Sequence, residues 1–408
     1  MIQDCLVRSR TGIEDGRRAY DKRSKTLRVL IAHSFYRLSG GEDSSVRQQA
    51  DLLRSHHNVF LLAKYNRDLP ASVPTAMRMV YSRRVEKDVE QVVKSFRPDV
   101  IHLHNAYPAL GPTVPLAATK FRVPLVLTVH NHRLRCPNGY MFTAESICDR
   151  CERGAYYNAL LHPCFPDKMQ ALAYASSLWI HRFVLKLEKR VSLFVCPSQY
   201  MHTRLERWGI PKEKLRIIRN FTPPVPDPPQ LPGEYGAYVG RLSHEKGVHV
   251  LLQALAIAHD PPFKIVGDGP ELPRLRGVAS KLNLDRTEFL GHLSKPAVDE
   301  VLRDARFAVL PSLSDENAPL AALEAMARAR PLIVSSVGGL RELAGGGRGR
   351  IVQPGDPPDL ASNVDALMKE TDACRIAGAA ALAFAQDQLA PAGHLRRLEE
   401  AYGQVAGL

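Results

Sequence analysis

Short apolar runs alternate with helix-like stretches along this 408-residue chain, and this alternation constrains the fold more than any other feature. The runs span residues 27–32, 59–62, 100–103, 125–129, 193–196, 237–239, 263–266, 287–290, 307–310 and 332–334. Strands that alternate with helices are typical of parallel sheets covered on both faces. A chain of this length is expected to form two domains of about 200 residues, each with its own core. We therefore predict an α/β fold with two Rossmann-like, doubly wound parallel sheets that face a cleft.

A proline-rich segment, residues 221–234, separates the fifth run from the sixth. Prolines stiffen and extend a linker, so we place one domain before it, at 27–220, and the other after it, at 235–390. Residues 391–408 are predicted to form a C-terminal helix, which by resemblance to the family named below crosses back to the first domain. Residues 1–26 are polar and lack the apolar core of a signal peptide, so we interpret them as an extension.

Two glutamates, Glu316 and Glu324, follow the run at 307–310 and are eight residues apart. Pro319 can open a helix between them, because its missing N–H would be unpaired there in any case. Glu316 is then expected on a loop at a strand's carboxyl end, where ligands bind in parallel sheets. The helix N-terminus favours phosphate in the same space. The pair could hold a sugar and a ribose, although two solvated helix acids would have the same spacing.

A basic turn follows the run at 237–239 and supplies cations for such an anion site. Arg241 can donate to two phosphate oxygens, and Lys246 adds a point charge five residues later. A basic turn exposed to solvent would have the same composition. After the run at 263–266, Gly269 lies in a Gly-Asp-Gly-Pro turn that either lets the backbone approach a ligand or is a plain tight turn.

Residues 236–345 resemble the nucleotide-sugar domain of the retaining family 4 glycosyltransferases, which have the GT-B fold. The resemblance rests on the basic turn at 240–247, the Gly-Asp-Gly-Pro turn, the glutamate pair and the Ser-Val-Gly-Gly segment at 336–339. It extends more loosely to nearly the whole chain from residue 27. Relatives usually have a glycine in the turn at 327–331, where this chain has Arg-Ala-Arg, which leaves the shape of that turn open.

The resemblance implies a role for each member of these motifs. Arg241 and Lys246 would hold the donor diphosphate, and Glu324 would hold the ribose. Glu316 would contact the transferred sugar together with the backbone that follows it. That backbone belongs to Asn317, Ala318, Pro319 and Leu320.

These roles predict a retaining enzyme that moves a sugar from a nucleotide-diphosphate sugar to a glycan or lipid-linked acceptor, in cell-surface polysaccharide synthesis. No divalent ion or other cofactor is expected to be required, because Arg241 and Lys246 stabilise the departing diphosphate. Glu316 positions the sugar without becoming covalently attached. An epimerase acting on sugar nucleotides, a phosphorylase-like enzyme or a non-catalytic nucleotide- or glycan-binding protein of the same fold is the alternative.

A glycine pair marks the first domain. Gly40 and Gly41 follow the first strand and precede a helix predicted to begin near residue 44, so the loop can approach donor phosphate or acceptor. The segment resembles the Gly-Gly-Glu-Asp of a subgroup linked to surface-polysaccharide synthesis. Glu42 or Asp43 could orient an acceptor hydroxyl, and Asp43 could equally cap the helix.

Histidines lie at the ends of two predicted strands in the same domain. His130 follows the run at 125–129 and is expected at the cleft edge, and the resemblance assigns it a contact with the donor sugar. His102 and His104 share one strand face. We expect a structural role for His102 and a place in the cleft wall for His104.

Four of the seven cysteines, Cys136, Cys148, Cys151 and Cys164, lie in an insertion at 131–165. A chain without an export signal is expected to keep them reduced. A CxxC pair flanked by single cysteines can close a tetrahedral zinc site, which would also organise an insertion too long for a bare loop. We predict a structural zinc site, with free thiols or an iron–sulfur site as the alternatives.

Charge is unevenly distributed, since residues 1–220 hold 36 Lys and Arg against 19 Asp and Glu, while the whole chain has a net charge of +13. A basic domain favours an anionic partner. We expect an anionic membrane surface and not nucleic acid, because the sequence has no nucleic-acid recognition motif. Residues 169–190 could form an interfacial helix or an ordinary core helix. The expected location is the cytoplasm, peripheral to the inner face of the plasma membrane.

Overall fold

The first half of the chain forms one parallel sheet and a small hairpin in the computed structural model, which describes residues 26–37, 40–68, 79–229 and 231–407. The predicted extension at 1–26 lies outside this part except for its last residue. The strands are β1 (Arg28–Phe35), β2 (Asn58–Tyr65), β3 (Val100–Leu103), β4 (Leu125–Thr128), β5 (Phe142–Thr143), β6 (Ser146–Ile147), β7 (Leu193–Cys196) and β8 (Leu215–Ile217). Six of them form a sheet in the order β2-β1-β3-β4-β7-β8, and β5 pairs with β6 in an antiparallel hairpin.

The second half forms another six-stranded parallel sheet, in the order β11-β10-β9-β12-β13-β14. Its strands are β9 (Tyr235–Val239), β10 (Phe263–Val266), β11 (Thr287–Gly291), β12 (Ala305–Leu310), β13 (Leu332–Ser335) and β14 (Gly349–Val352). The strands β3, β7, β12 and β13 are buried at every residue, as expected for strands covered on both faces. The predicted class of two doubly wound parallel sheets is confirmed.

Helices cover both faces of each sheet and bury separate apolar clusters, with Phe194 at the first sheet and Phe307 at the second fully enclosed. The helices are α1 (Gly41–Arg54), α2 (Arg83–Phe96), α3 (Thr113–Phe121), α4 (Asn158–Leu161), α5 (Lys168–Trp179), α6 (Gln199–Arg207), α7 (Val248–Ile257), α8 (Leu272–Lys281), α9 (Lys295–Asp304), α10 (Leu320–Met326), α11 (Leu340–Ala344), α12 (Pro357–Lys369), α13 (Thr371–Gln388) and α14 (Pro391–Ala406).

The sequence patterns do not predict the edge strands β8 and β14. Each is short and contains an arginine, Arg216 in β8 and Arg350 in β14. An edge strand has one open side, and charged residues are common there because they discourage pairing with another chain. Because of this charge, a search for apolar runs does not find these strands.

The last helix, α14, packs against the first sheet although it follows the second sheet in sequence. Leu398 and Tyr402 share an apolar cluster with Val29 and Ile31 of β1. The hydroxyl oxygen of Tyr402 lies 2.7 Å from Nδ1 of His102 on β3. The chain thus returns to its first domain at its end.

The segment 169–190, predicted as an interfacial or a core helix, is continuously helical as far as Val184 but not to its end. Helix α5 ends at Trp179, and a wider single turn spans Ile180–Val184. Lys186 then adopts φ of +50°, a left-handed conformation that cannot continue a right-handed helix. Among the helices that the structure describes, none has the length and apolarity needed to cross a bilayer.

Candidate active site

An ion pair between Lys246 and Glu316 lies at the carboxyl ends of β9 and β12, two adjacent strands of the second sheet. Ser312 Oγ donates to the same carboxylate oxygen of Glu316 at 2.8 Å, which fixes its orientation. Burial alone would lower the pKa of Lys246, but the Glu316 carboxylate, with smaller contributions from Glu245 and Tyr140, outweighs burial and raises this pKa above its ordinary value. Lys246 is therefore a permanent cation at neutral pH.

Two glycines allow the loops that carry this pair to approach each other. Gly247 has φ of +69°, and a Cβ atom there would lie 2.0 Å from the carbonyl oxygen of Pro311. Gly338 has φ of +50°, and its Cβ would lie 2.1 Å from the carbonyl oxygen of Glu316. Neither contact would tolerate a side chain. The Ser-Val-Gly-Gly segment thus packs directly against the backbone of the loop that carries Glu316.

Arg241 precedes Lys246 in the same turn and is exposed. Its backbone oxygen accepts a hydrogen bond from the Tyr238 hydroxyl at 2.8 Å. Within the described residues its guanidinium group makes no hydrogen bond or ion pair, so all its donors are available to an anion. Gly269 in the neighbouring turn packs against the backbone of Leu242, where a Cβ would lie 2.3 Å from the carbonyl oxygen. The close approach that Gly269 permits is therefore between two turns of the protein.

Glu324 projects from α10 into a charged cluster shared with α9. Its carboxylate pairs with Nζ of Lys295 at 2.6 Å, and Lys295 also lies 3.0 Å from Asp299. Arg328 pairs with Asp299 at 2.7 Å and donates to the backbone oxygen of Glu324 at 2.7 Å. In the turn that follows, Ala329 adopts φ of +57°. The turn at 327–331, where this chain lacks glycine, therefore contains a left-handed residue that is an alanine.

The loop between Glu316 and α10 is held against the first domain. The buried side chain of Asn317 donates to the carbonyl oxygen of Val129 at 2.8 Å and accepts from Ser198. The carbonyl oxygen of Ala318 accepts from Asn220 at 3.3 Å. Pro319 caps α10, which begins at Leu320, one residue later than a helix opened by Pro319 itself. Leu320 packs against Gly41, since a Cβ atom built on Gly41 would lie 3.8 Å from the Leu320 side chain.

Gly40 and Gly41 therefore lie beside this loop, at the start of α1. Gly40 is the N-cap, and α1 begins at Gly41 instead of near residue 44. Asp43 does not cap the helix, because it lies in the first turn and pairs with Nε2 of His33 at 2.8 Å. Glu42 accepts from the Tyr36 hydroxyl at 2.9 Å, and its other oxygen, Oε1, is buried with no hydrogen-bond partner among the described residues. Of the two acids, Glu42 is the one with an acceptor still available.

His130 lies where the first domain meets the loop of Asn317, whose side-chain amide is 3.4 Å from the backbone oxygen of His130. Nε2 of His130 is 2.8 Å from Nδ1 of His104, and the rings of these two histidines stack with their centroids 5.2 Å apart. His104 stacks in turn on His102 at 4.3 Å. Burial lowers the pKa of His130 and lowers that of His102 to about 3, so both are neutral at neutral pH. His102 is fully buried, in accordance with a structural role.

Residues outside the sequence motifs also join the two domains at this site. Asp315 accepts from the Tyr200 hydroxyl at 2.6 Å and from Arg204 at 3.2 Å. Glu342 of α11 accepts from the backbone N–H groups of Gln199 and Tyr200, which open α6 in the other domain. A carboxylate is favoured at a helix N-terminus. Sequence offers a signal only for Asp315, which adjoins Glu316.

A cavity of about 790 Å³, part of it open to solvent, lies beside His130 in the first domain. Its wall is largely apolar, and the charged groups Arg133, Arg182 and Glu188 also line it. The apolar part includes Leu103, Leu127, Val129, Leu134, Leu178, Leu187 and Val191. His104 also lines this cavity, whose lining residues all belong to the first domain.

The four cysteines of the insertion at 131–165 line one small cavity together. Cys136 and Cys151 are buried, whereas Cys148 and Cys164 are partly exposed, and all four are free thiols. Within the described residues no three side chains are already arranged as ligands of a metal ion.

Two doubly wound parallel sheets in separate domains, with charged residues at the strand ends where the domains meet, are the architecture of the GT-B fold. Residues 39–224 match the family model Glycosyltransferase Family 4, and residues 231–383 match the model Glycosyl transferases group 1. The chain belongs to the family 4 glycosyltransferases.

Relatives in sequence are glycosyltransferases of several kinds. An uncharacterized glycosyltransferase of Methanocaldococcus jannaschii is 26% identical over 286 residues, which are 69% of this chain and 69% of that protein. Glycogen synthase of Mycobacterium tuberculosis is 29% identical over 296 residues, 69% of this chain and 63% of the synthase. A Bacillus subtilis glycosyltransferase assigned to teichuronic acid biosynthesis is 26% identical over 69% of this chain and 65% of its own length. The chain thus matches about two thirds of each relative.

Solved structures share the fold over nearly the whole chain. HepE of Anabaena, crystallised in complex with UDP and glucose, superposes with a TM-score of 0.66 and 19% identity, covering 93% of this chain and 100% of HepE. Sucrose-phosphate synthase of Thermosynechococcus elongatus has a TM-score of 0.68 and 19% identity, covering 93% and 99%. At these identities the likeness shows the fold alone.

Proposed function

We propose that the chain transfers a sugar, with retention of anomeric configuration, from a nucleotide-diphosphate sugar to a glycan or lipid-linked acceptor in cell-surface polysaccharide synthesis. The observation that carries the proposal is the Lys246–Glu316 pair beside the exposed Arg241, at the carboxyl ends of adjacent central strands. The UDP and glucose bound by HepE and the teichuronic acid assignment of the Bacillus relative support this donor class and pathway type.

The two cations would bind the donor diphosphate. Arg241 would donate to two of its oxygens, and Lys246 would share its charge between the diphosphate and Glu316. Glu324, which Lys295 holds in place at 2.6 Å, would accept from the ribose hydroxyls. The transferred sugar would then lie against Glu316 and the backbone of Asn317, on the side that faces His130.

Transfer would break the bond between the anomeric carbon and the diphosphate oxygen. The acceptor oxygen would bond to that carbon on the face the diphosphate leaves, and its proton would pass to a diphosphate oxygen. Arg241 and Lys246 stabilise the negative charge that develops there, so the proposed reaction requires no divalent ion. Glu316 stabilises positive charge on the sugar ring and positions it, without forming a covalent bond.

For the acceptor we favour the cavity beside His130, which has an apolar wall and a cationic group. Arg133 lines it, and its Nε atom is buried without a hydrogen-bond partner among the described residues. An acceptor that carries both an apolar chain and a phosphate would satisfy both features. We assign to Oε1 of Glu42, which is buried, the role of accepting a hydrogen bond from the attacking hydroxyl.

The surface around α5 supports contact with an anionic membrane. Trp179, Phe183 and Val184 are exposed by 50%, 42% and 58%, and Lys186 and Lys189 are exposed in the same segment. Exposed apolar side chains beside cations suit the cytoplasmic leaflet, which carries anionic lipids. In sedimentation with anionic vesicles, the wild type should pellet with the vesicles. A Trp179→Ser/Phe183→Ser variant should remain in the supernatant. An Ile376→Ser variant, changed at an exposed apolar residue of the other domain, is the control.

A two-step assay tests the reaction itself. Thermal shift with uridine, guanosine, adenosine and thymidine diphosphates identifies the base, and the matching sugar nucleotides are then incubated with and without acceptor. Transfer that depends on acceptor, proceeds in EDTA and retains the anomeric configuration by NMR is expected. Conversion of the sugar nucleotide without acceptor would instead indicate an epimerase, and binding without any turnover would indicate a non-catalytic protein.

A further inference from the structure

The insertion between β4 and β7 places four thiols around one small cavity. We propose that Cys136, Cys148, Cys151 and Cys164 bind one Zn²⁺ ion as four thiolate ligands in a structural site. Zinc favours this tetrahedral set, with Zn–S distances of about 2.3 Å. Four protein ligands leave no position for water or substrate, so the ion would have no part in sugar transfer.

All four thiols line the same cavity, which also includes Asn138 and Thr143. Their present partners are weak ones: Cys136 donates to Asn138 Oδ1 at 2.9 Å, and Cys151 donates to a backbone oxygen at 3.6 Å. Among the described residues, no three such side chains are arranged so that they could hold a metal ion, so binding would require the thiols to move. Binding would release these protons and draw the sulfur atoms inward.

The surroundings complement the charge of such a site. Zn²⁺ with four thiolates carries a net charge of −2, and Arg150 donates to the Cys148 sulfur at 3.2 Å. Hydrogen bonds of this kind from a neighbouring cation stabilise metal-bound thiolates. Cys148 and Cys151 also form the CxxC pair, which follows directly on strand β6.

The insertion has little regular structure, and a metal ion would constrain it further. Strands β5 and β6 contain two residues each, and so short a hairpin is not stable by itself in water. A metal ion that binds only the folded arrangement contributes its binding free energy to folding. The four ligands come from both sides of the hairpin, so one ion would fix its ends together.

The hairpin lies next to the proposed donor site, and the residue that follows the CxxC pair is linked to that site through Arg204. Glu145, between β5 and β6, lies 3.7 Å from His244 in the basic turn. Glu152, next to Cys151, pairs with Arg204 at 3.4 Å, and Arg204 pairs with Asp315 at 3.2 Å. Asp315 adjoins Glu316. A zinc ion here would hold the insertion in contact with both loops of the proposed donor site.

Metal analysis of the full chain, purified anaerobically and washed with EDTA, tests the proposal. Inductively coupled plasma mass spectrometry should find about one zinc ion per chain in the wild type, and less than about a tenth of that in Cys148→Ala/Cys151→Ala. Cys196→Ala, which removes a buried thiol outside the cluster, should keep its zinc. Equal zinc in all three proteins would overturn the assignment, as would iron with visible absorption.

Cobalt substitution of the wild type decides the matter even if the double variant does not fold. Exchange of zinc for Co²⁺ should give a near-ultraviolet thiolate charge-transfer band together with the visible bands of a tetrahedral ion. A protein that binds no Co²⁺, and whose four thiols react with a thiol reagent under native conditions, would contradict the site. Neither readout involves sugar transfer, so failure of the zinc proposal and failure of the proposed function are separate results.

Discussion

The Lys246 ammonium group is held against the Glu316 carboxylate, although 70 positions separate the two residues along the chain. Ser312 and the ion pair hold both groups at the carboxyl ends of adjacent strands. In the proposed reaction the donor would therefore meet a cation and an acid that are already oriented, and little reorganisation would remain for the chemical step.

Lys246→Ala and Glu316→Gln should each lower kcat/KM by about 10²–10³-fold, the loss typical of one preorganised electrostatic group. The fold should remain intact, because neither side chain belongs to an apolar cluster. Initial rates and circular dichroism check both points. Lys369→Ala, which removes an exposed lysine paired with Asp365 in the same domain, is the control and should keep full activity. Full turnover in either site variant would refute the assigned roles.

Arg241→Ala should weaken nucleoside diphosphate binding by about tenfold or more, since a bidentate contact with phosphate is lost. Stability should not change, because the guanidinium group has no partner within the described residues. Isothermal titration measures the affinity. Arg276→Ala removes an arginine of α8 that is also exposed, and it should bind as the wild type does. Equal affinities in the two variants would remove Arg241 from the donor site.

Ala329→Gly should stabilise the protein by about 0.5–1 kcal/mol, since alanine is strained in the left-handed conformation and glycine is not. Denaturant unfolding measures the change. Ala379→Gly, at an exposed position in the interior of helix α13, should instead destabilise by about 1 kcal/mol because glycine disfavours a helix interior. A loss of stability in Ala329→Gly would show that the turn does not have the described shape.

Stability should fall as the pH drops from about 6.5 toward 4, because several histidines are buried in the neutral form. Burial lowers the pKa of His102 to about 3 and that of His394 to about 4, so in this range the unfolded chain binds more protons than the folded one. Each such histidine contributes up to about 1.4 kcal/mol per pH unit.

His394→Gln should reduce this slope between pH 4.5 and 6 by up to about 1.4 kcal/mol per pH unit. Unfolding free energies at several pH values give the slope, which a merely structural loss would not alter. His292→Gln changes an exposed histidine and should leave the slope as it is. An unchanged slope in His394→Gln would mean that this residue is protonated equally in both states.

The strands and motifs were accessible from sequence because each depends on neighbours in the chain. Apolar runs marked ten of the twelve sheet strands, and Glu316 and Lys246 stood in recognisable loops. The partners of these residues were not accessible, since they come from other units of the fold. Lys295 reaches Glu324 from the preceding helix, and Glu342 caps a helix of the other domain. Such pairings depend on how the elements pack, which no local pattern records.

The return of α14 to the first sheet means that the polypeptide joins the two halves twice, once through 221–234 and once just ahead of Pro391. Two tethers define an axis, so we expect any opening and closing of the groove to be a rotation about the line between them. A chain cut before Pro391 would retain a single tether. We expect its halves to twist as well as to swing, so that the loops meeting at the proposed donor site would no longer return to one alignment.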